Sequence, residues 1–174
     1  MHGDEHPMRT TTHPESIPPS PARAILYALS SKRDSPVSNG GMRQETYQGR
    51  KASVLYGNVS LDNNGGFIQI ACHLGVNETT FDASKWTGLE LDVSGNGEQY
   101  DVRLRTDQLT QPWQSFRTEF TASQKWQTLR VPFDTFISHK TDAIFDPAQL
   151  RRVGILAIGR EFKTHVAVAG MRLY

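Results

Sequence analysis

Four charged residues alternate along residues 101–107, in the order Asp101, Arg103, Arg105 and Asp107. Alternate residues of a β-strand lie on one face of its sheet, so a strand here would align all four side chains. A guanidinium group offers planar N–H donors that fit carboxylates, phosphates or sugar hydroxyls, and it stacks on aromatic rings. We therefore predict a polar binding stripe on this strand.

Trp113 and Phe67 are the two aromatic residues that we expect beside this stripe, since most other aromatic residues fall on positions predicted to be in the core. An alternative remains open. Arg103 and Arg105 would then pair with acids on neighbouring strands, such as Glu119 or Asp92, on an ordinary solvated face.

No motif for catalysis occurs in the chain. A Gly-x-Ser-x-Gly elbow, a phosphate-binding loop, a dinucleotide fingerprint and a His-Glu-x-x-His zinc motif are all missing from the sequence. The glycines of residues 95–97 precede a predicted strand and not a helix, so they indicate a turn. We predict a protein without catalytic residues and without a cofactor.

Histidines do not predict a metal site. His2 and His6 flank two acidic residues in a segment without preorganised geometry, which favours adventitious metal binding only. The later histidines, His73, His139 and His165, are dispersed, and each is interpreted as structural. Whether they meet in space is not fixed by the sequence.

Cys72 is the only cysteine, so no internal disulfide forms, and a reducing compartment fits best. Cys72 follows Ile68 and Ile70 at alternate positions, so in a strand the three side chains would lie on the same face. This pattern predicts a buried and unreactive thiol.

The elements that would hold the stripe are strands. In residues 88–93, Leu89, Leu91 and Val93 are expected to face a core while Glu90 and Asp92 face water. The same period of two predicts further core positions at Tyr100, Val102, Leu104, Phe116, Phe120, Leu129 and Val131.

Turn-forming residues separate the strands, at residues 63–66, 94–97 and 123–125. The first of these predicts a hairpin that joins residues 54–61 to residues 67–72. Residues 146–152 predict one helical turn. So many strands with so little helix indicate an all-β fold with two packed sheets, a jelly-roll β-sandwich.

Residues 1–22 contain five of the nine prolines and hardly any large apolar side chain, so we expect a disordered N-terminal extension followed by one domain over residues 23–174. Residues 24–29 suit a first strand, and residues 34–41 suit a loop. No apolar signal sequence or membrane span is present, and an organellar transit pattern is not indicated. A soluble cytoplasmic domain without membrane insertion is expected.

Net charge argues against nucleic acid as a partner, because 19 basic side chains are balanced by 18 acidic ones. Two local features have open alternatives. Trp126 is expected to cover an end of the core with its indole N–H bonded, the alternative being a sugar platform. The apolar pairs at residues 136–137 and 144–145 either pack beneath the intervening loop or form a docking edge.

Four segments resemble the complex I intermediate-associated protein 30 family. They are residues 40–41 (GG), 57–67 (GNVSLDNNGGF), 104–107 (LRTD) and 126–133 (WQTLRVPF). The resemblance implies a galactose-binding-like jelly roll, similar to family 11 carbohydrate-binding modules. It also implies assembly factors or chaperones for respiratory complex I, and no enzyme activity.

Two functions therefore stay open. The first is a protein-binding module whose partner is a respiratory-complex subunit, and the alternative is a carbohydrate-binding module. Aromatic residues make up only 9% of the chain, which disfavours the carbohydrate alternative.

Overall fold

The computed structural model of the protein describes residues 30–33, 39–62 and 66–174, and the structural statements below concern these residues. Several predictions lie wholly or partly outside them: the extension at 1–22, the first strand at 24–29, the loop at 34–41 and the turn at 63–66. The loop prediction is wrong for residues 39–41, because they begin the strand Asn39–Tyr47. For residues 30–33 the backbone pairing alone is described.

The described residues form strands in the following order: β1 (Ser30–Arg33), β2 (Asn39–Tyr47), β3 (Arg50–Val59), β4 (Ile68–His73), β5 (Gly88–Gly95), β6 (Gln99–Thr106), β7 (Ser115–Thr121), β8 (Gln127–Pro132), β9 (Ile137–His139), β10 (Leu150–Ala157) and β11 (Phe162–Leu173). Single 3-10 turns occur at Val76–Glu78, Phe133–Thr135 and Pro147–Gln149. The helical turn predicted in residues 146–152 is thus confirmed for Pro147–Gln149, while the chain is already a strand from Leu150 onwards.

Two antiparallel sheets make up the domain. The six-stranded sheet has the order β1-β4-β10-β6-β7-β9, and the five-stranded sheet has the order β2-β3-β11-β5-β8. Residues of both sheets share one buried cluster, among them Val102 of β6 and Leu91 of β5. The predicted all-β jelly-roll sandwich is confirmed.

Strand alternation builds the core as predicted, because Leu89, Leu91 and Val93 of β5 are each at most 1% exposed. Tyr100 of β6 lies in the same core and joins the sheets. Its hydroxyl accepts a hydrogen bond from the main-chain N–H of His165 on β11 at 2.9 Å.

The predicted hairpin between residues 54–61 and 67–72 is wrong. Strand β3 pairs with β2 and β11, whereas β4 pairs with β1 and β10, so the connection crosses from one sheet to the other. Leu55 of β3 and Ile70 of β4 are buried in one core from opposite sides. The alternation of apolar residues indicates which face of a strand is buried, but it does not indicate which sheet the strand joins.

Asp92 does not face water as expected, since only 8% of the residue is exposed. Its carboxylate accepts hydrogen bonds from Thr128 at 2.6 Å and from Arg172 at 2.9 Å, and it lies 3.3 Å from Arg50. The Arg172 hydrogen bond is the largest cause that lowers the pKa of Asp92 to about 2. Glu90, two residues earlier, is only partly exposed and also bonds Arg172.

Trp126 packs with Tyr47 on the outer face of the five-stranded sheet, over a small apolar cluster that includes Val54 and Ala167. Its indole N–H donates to the carbonyl oxygen of Gln48 at 3.2 Å, which confirms the bonded indole. Its place on this outer face, away from the main core, differs from the expected position. The aromatic pair covers part of that face.

Candidate functional site

The outer face of the six-stranded sheet carries a cleft of about 690 Å³. Outward side chains of β4, β6 and β10 form its floor, and loop residues near Phe67 and Trp113 form its rim. Gly154 of β10 is the cross-strand partner of Arg103 and places no side chain on the floor. The missing side chain deepens the cleft at its centre.

A row of polar residues crosses the cleft from strand to strand. Arg152 of β10 is paired with Arg105 of β6, and Ser115 of β7 is paired with His139 of β9. The pairing of Leu104 with Phe116 sets the register of β6 and β7, so Arg105 and Ser115 are neighbours in the row. Directly paired residues share a face, which brings side chains far apart in sequence into one site.

Arg103 forms a short ion pair within its own strand. Its Nε and Nη2 atoms lie 3.0 and 2.8 Å from the Oδ2 atom of Asp101, and that carboxylate is almost fully buried. The alternative pairing with Glu119 or Asp92 does not occur among the described contacts. Asp101 therefore holds Arg103 in place from the neighbouring position on the same face of β6 and leaves Nη1 outside the pair.

Arg105 organises the rim loop. Its Nη1 atom donates to the carbonyl oxygens of Gln111, Pro112 and Gln114 at 3.1, 2.9 and 2.6 Å. Burial, followed by repulsion from the nearby arginines of β10, lowers the pKa of Arg105. This loop presents Trp113, which is 57% exposed at the rim of the cleft.

Ser115 and His139 supply neutral polar groups beside these cations. Ser115 is 3% exposed, and its hydroxyl has no hydrogen-bond partner among the described residues. Burial, and then repulsion from Arg103 and Arg117, lowers the pKa of His139. The imidazole is therefore mainly uncharged at neutral pH and offers one donor and one acceptor.

Phe67, Arg103, Arg105 and Trp113 of the predicted binding face line the cleft. Asp101 lies beside Arg103 on β6, almost fully buried, and is not among the lining residues. Asp107, just beyond β6, pairs with Arg151 at 3.1 Å, and it is exposed outside the cleft. The structure thus brings four of the predicted residues together around one cleft. What the cleft binds stays a prediction.

Sequence reasoning missed Ser115, Lys140 and Arg152 as cleft residues and treated His139 as a dispersed structural histidine. No local pattern marks them, because they join the site through strand pairing. The only available signal was the polar residue at an outward position of a predicted strand, as at Ser115. The helical turn predicted over residues 146–152 includes Arg152, whereas the structure places this residue on β10.

The three later histidines do not meet. His73 lies on β4 and His139 on β9, the outermost strand of the six-stranded sheet, while His165 lies on β11 of the other sheet. Across the part of the chain that the structure describes, no group of three or more histidine, cysteine or acidic residues could hold a metal ion. Within that same part, none of the helices is long and apolar enough to cross a membrane.

The two apolar pairs of the 136–145 region divide between the open alternatives. Phe136 and Phe145 pack with Phe116 and Phe133 in an aromatic cluster. Ile137 and Ile144 are 62% and 85% exposed. The phenylalanines therefore belong to the core, and the isoleucines lie on the surface.

The fold and the cleft define a jelly-roll β-sandwich domain with a cleft on the outer face of its six-stranded sheet. The family model "Complex I intermediate-associated protein 30 (CIA30)" matches residues 34–165, and the chain belongs to that family. No curated protein matches the sequence.

Solved carbohydrate-binding modules have the same fold. A family 11 module of the cellulase Lic26A-Cel5E of Clostridium thermocellum aligns with a TM-score of 0.67 at 10% identity, over 88% of this chain and 92% of that one. A family 11 module from the same organism, solved with a β-1,3-1,4-mixed-linked tetrasaccharide, gives 0.65 at 11% identity over 83% and 87%. A family 30 module gives 0.65 at 15% identity over 89% and 98%. These identities establish a common fold.

Proposed function

We propose that the domain is a non-catalytic binding module that holds a protein partner in the cleft of the six-stranded sheet, as part of respiratory complex I assembly. The observation that carries the proposal is the exposed ring of Trp113 beside a row of arginines on a rigid sheet. Tryptophan and arginine are the residues that most often dominate the free energy of protein–protein binding. The family name supports the link with complex I.

Preorganisation supports a binding role for this surface. Asp101 holds Arg103, and Arg105 holds the loop that presents Trp113, so both sets of contacts exist before a ligand arrives. A rigid site loses less conformational entropy on binding than a flexible one. The cleft volume of about 690 Å³ is in the usual range for binding sites.

The chemistry of the cleft supports a non-catalytic role. Ser115 and His139 are cross-strand neighbours, yet the serine hydroxyl makes no hydrogen bond to the imidazole. A nucleophilic serine requires a base within hydrogen-bond reach and a third group that orients the base. This arrangement is not formed here.

Carbohydrate is the second candidate, and the exposed Trp113 ring is the observation that favours it. A flat aromatic surface can stack on a sugar ring, and one structural neighbour was solved with a tetrasaccharide. Neutral sugars require hydrogen-bond acceptors as well as donors. The charged side chains that line the described cleft are all cations, and a neutral sugar would leave their charge unmatched, which favours a protein partner.

The proposal is tested by affinity capture from native lysate with the tagged protein and quantitative mass spectrometry of complex I subunits. Wild type and the control Val76→Ala should recover a complex I subunit. Val76 is 80% exposed and lies outside the cleft. Trp113→Ala should reduce recovery at least about tenfold, the loss expected for an anchoring tryptophan.

Equal recovery by Trp113→Ala would exclude the cleft as the binding surface. A glycan array on the same proteins tests the second candidate. A specific glycan signal that Trp113→Ala abolishes, together with no recovered subunit, would assign the cleft to carbohydrate.

A further inference from the structure

Charge is segregated in the cleft. Its lining contains Arg103, Arg105, Lys140 and Arg152, and no aspartate or glutamate lines the described cleft. The whole chain is nearly neutral, with 19 basic and 18 acidic side chains. The cationic lining is therefore a local property of this face, and it creates a positive potential over the opening.

The acidic groups nearby neutralise only part of this charge. Asp101 pairs with Arg103, and that pair uses Nε and Nη2 of the guanidinium. The described bonds of Arg105 go to main-chain carbonyl oxygens and to no carboxylate. The side chain of Lys140 makes no ion pair within the described part of the protein. A ligand carboxylate would offset repulsion that these side chains retain.

The hydroxyl of Ser115 is a second and independent observation. Ser115 is one of the residues that line the cleft, it is 3% exposed, and its hydroxyl oxygen is buried without a partner among the described residues. A buried hydroxyl without a hydrogen bond destabilises the folded protein. An oxygen of a ligand would accept from this hydroxyl and from the neighbouring imidazole of His139.

The rim of the cleft is apolar where its centre is cationic. Leu61 is 49% exposed, Trp113 is 57% exposed, and Ile158 completes the lining beside them. A ligand that suits both parts carries carboxylates together with apolar side chains. An acidic protein segment has this composition, whereas a uronic acid polysaccharide has the carboxylates alone.

We propose that the cleft binds an acidic, partly apolar segment of a protein, with one carboxylate held by Ser115, His139 and Lys140 beside the arginines of β6. The inference rests on the proposed function and names the chemistry of the partner. Glutamate or aspartate in the segment supplies the carboxylate, and leucine-like side chains contact Trp113 and Leu61.

The test is a fluorescence anisotropy titration of the full chain with a labelled octapeptide of alternating glutamate and leucine. The matching peptide of glutamine and leucine, an oligogalacturonate, a neutral cello-oligosaccharide and inorganic phosphate are the comparison ligands. The glutamate peptide should bind saturably, and its affinity should fall as salt rises. The glutamine peptide should bind at least about tenfold more weakly, which corresponds to about 1.4 kcal/mol.

Variants locate the site. The double variant Lys140→Glu/Arg152→Glu should bind the glutamate peptide at least about tenfold more weakly. The matched control Lys51→Glu/Lys163→Glu changes the net charge equally on β3 and β11 of the other sheet, and it should leave affinity within about twofold. Ser115→Ala removes a hydroxyl that has no described partner, so the fold should persist while affinity falls about fivefold or more.

Equal binding of the two peptides, or unchanged affinity in Lys140→Glu/Arg152→Glu, would overturn the proposal. Binding of oligogalacturonate or phosphate in place of the peptide would also overturn it and would identify a different anion. If the charge variant misfolds by circular dichroism, Ser115→Ala and the salt series decide.

Affinity capture separates this inference from the proposed function. One outcome is that Trp113→Ala abolishes capture of a subunit that Lys140→Glu/Arg152→Glu still captures. That outcome would support the proposed function and exclude an acidic segment as the ligand of the cleft. If no cleft variant changes the recovery of the subunit, the proposed function is excluded. The peptide titration then still decides whether the cleft binds an acidic segment.

Discussion

The Nη1 atom of Arg105 lies 2.6 Å from the carbonyl oxygen of Gln114. The same nitrogen also reaches the carbonyl oxygens of Gln111 and Pro112, so a single cation collects the main chain of one loop. A positive charge that bonds backbone oxygens fixes their position without being neutralised. Arg105 therefore both orders the rim loop and contributes charge to the cleft.

Replacement of Arg105 by alanine should loosen this loop. Hydrogen bonds to a charged donor contribute about 1.5–3 kcal/mol, and water can replace part of the loss at an exposed loop. We therefore expect the free energy of unfolding to fall by about 1–2 kcal/mol. Urea denaturation measures the change, and hydrogen exchange should accelerate at residues 110–115. Arg117→Ala, on the same outer face, is the control. Unchanged exchange in the loop would show that Arg105 does not order it.

Asp92 should make stability depend on pH. Its folded pKa of about 2 lies below the ordinary value of 3.8. A lowered carboxyl pKa stabilises the fold above the unfolded pKa, and this contribution is lost as pH falls through the folded value. Wild type should therefore lose up to about 2 kcal/mol more than Asp92→Asn between about pH 4 and pH 2, as measured by urea midpoints.

Glu90 acts in the same direction, since a hydrogen bond from Arg130 lowers its pKa. Asp92→Asn should consequently retain a small acid dependence. Parallel pH curves for the two proteins would contradict the role assigned to Asp92.

Tyr100→Phe should weaken the link between the sheets. The change removes the acceptor of the His165 main-chain N–H and the hydroxyl that donates to Asn96 at 2.7 Å. Loss of a partner for buried polar groups costs about 1–3 kcal/mol, to be measured by urea denaturation. Burial raises the pKa of Tyr100 to about 12, so ultraviolet titration should show one late phenol that this variant lacks.

Tyr56→Phe is the matched control for this experiment, because the Tyr56 hydroxyl makes no hydrogen bond in the described part of the chain and the residue is only partly buried. It should change stability by less than about 0.5 kcal/mol. An equal loss in both variants would mean that the phenol contact between the sheets contributes nothing specific.

The Cys72 thiol should be protected in the folded protein. The residue is 3% exposed, and burial raises the pKa of its thiol, so little reactive thiolate forms at neutral pH. Ellman's reagent should label the native chain much more slowly than the urea-unfolded chain, which should give one equivalent of thiol per chain. Rapid labelling of the native protein would contradict the burial.

Gly57→Ala should be strongly destabilising. Gly57 has φ of 133°, and an added Cβ would lie 2.2 Å from the carbonyl oxygen of Asn39 and 2.3 Å from the Cα of Gly40. We expect a loss above about 2 kcal/mol by urea denaturation, because both the backbone angle and the close strand approach oppose a side chain. Gly97→Ala is the control. Gly97 has φ of 80° but open space around it, so its loss should be smaller.

The strands and most of the core could be predicted from the sequence because period-two alternation is a local property. Leu89, Leu91 and Val93 show this, and the single turn at Pro147–Gln149 was marked by its proline. The hairpin prediction at residues 63–66 failed for a physical reason. Turn residues indicate that a chain reverses, and they are equally suited to a crossing between sheets.

Distant pairing set the limit at the candidate site. Asp92 was expected in water because its partner Arg172 lies 80 residues away. Ser115 and Lys140 are likewise brought to Arg103 by strand order and register. No pattern within one strand contains that information. Four of the predicted residues therefore line the cleft, while the rest of its lining residues were not predicted.

Strand β11 lies between β3 and β5 at the centre of its sheet, although it is the last of the described strands to be synthesised. Until this strand leaves the ribosome, β3 and β5 each have an unpaired edge, because β11 is the strand that lies between them in the sheet. The five-stranded sheet can therefore be completed only after β11 has been translated, and until then these two edges are available for pairing with other chains.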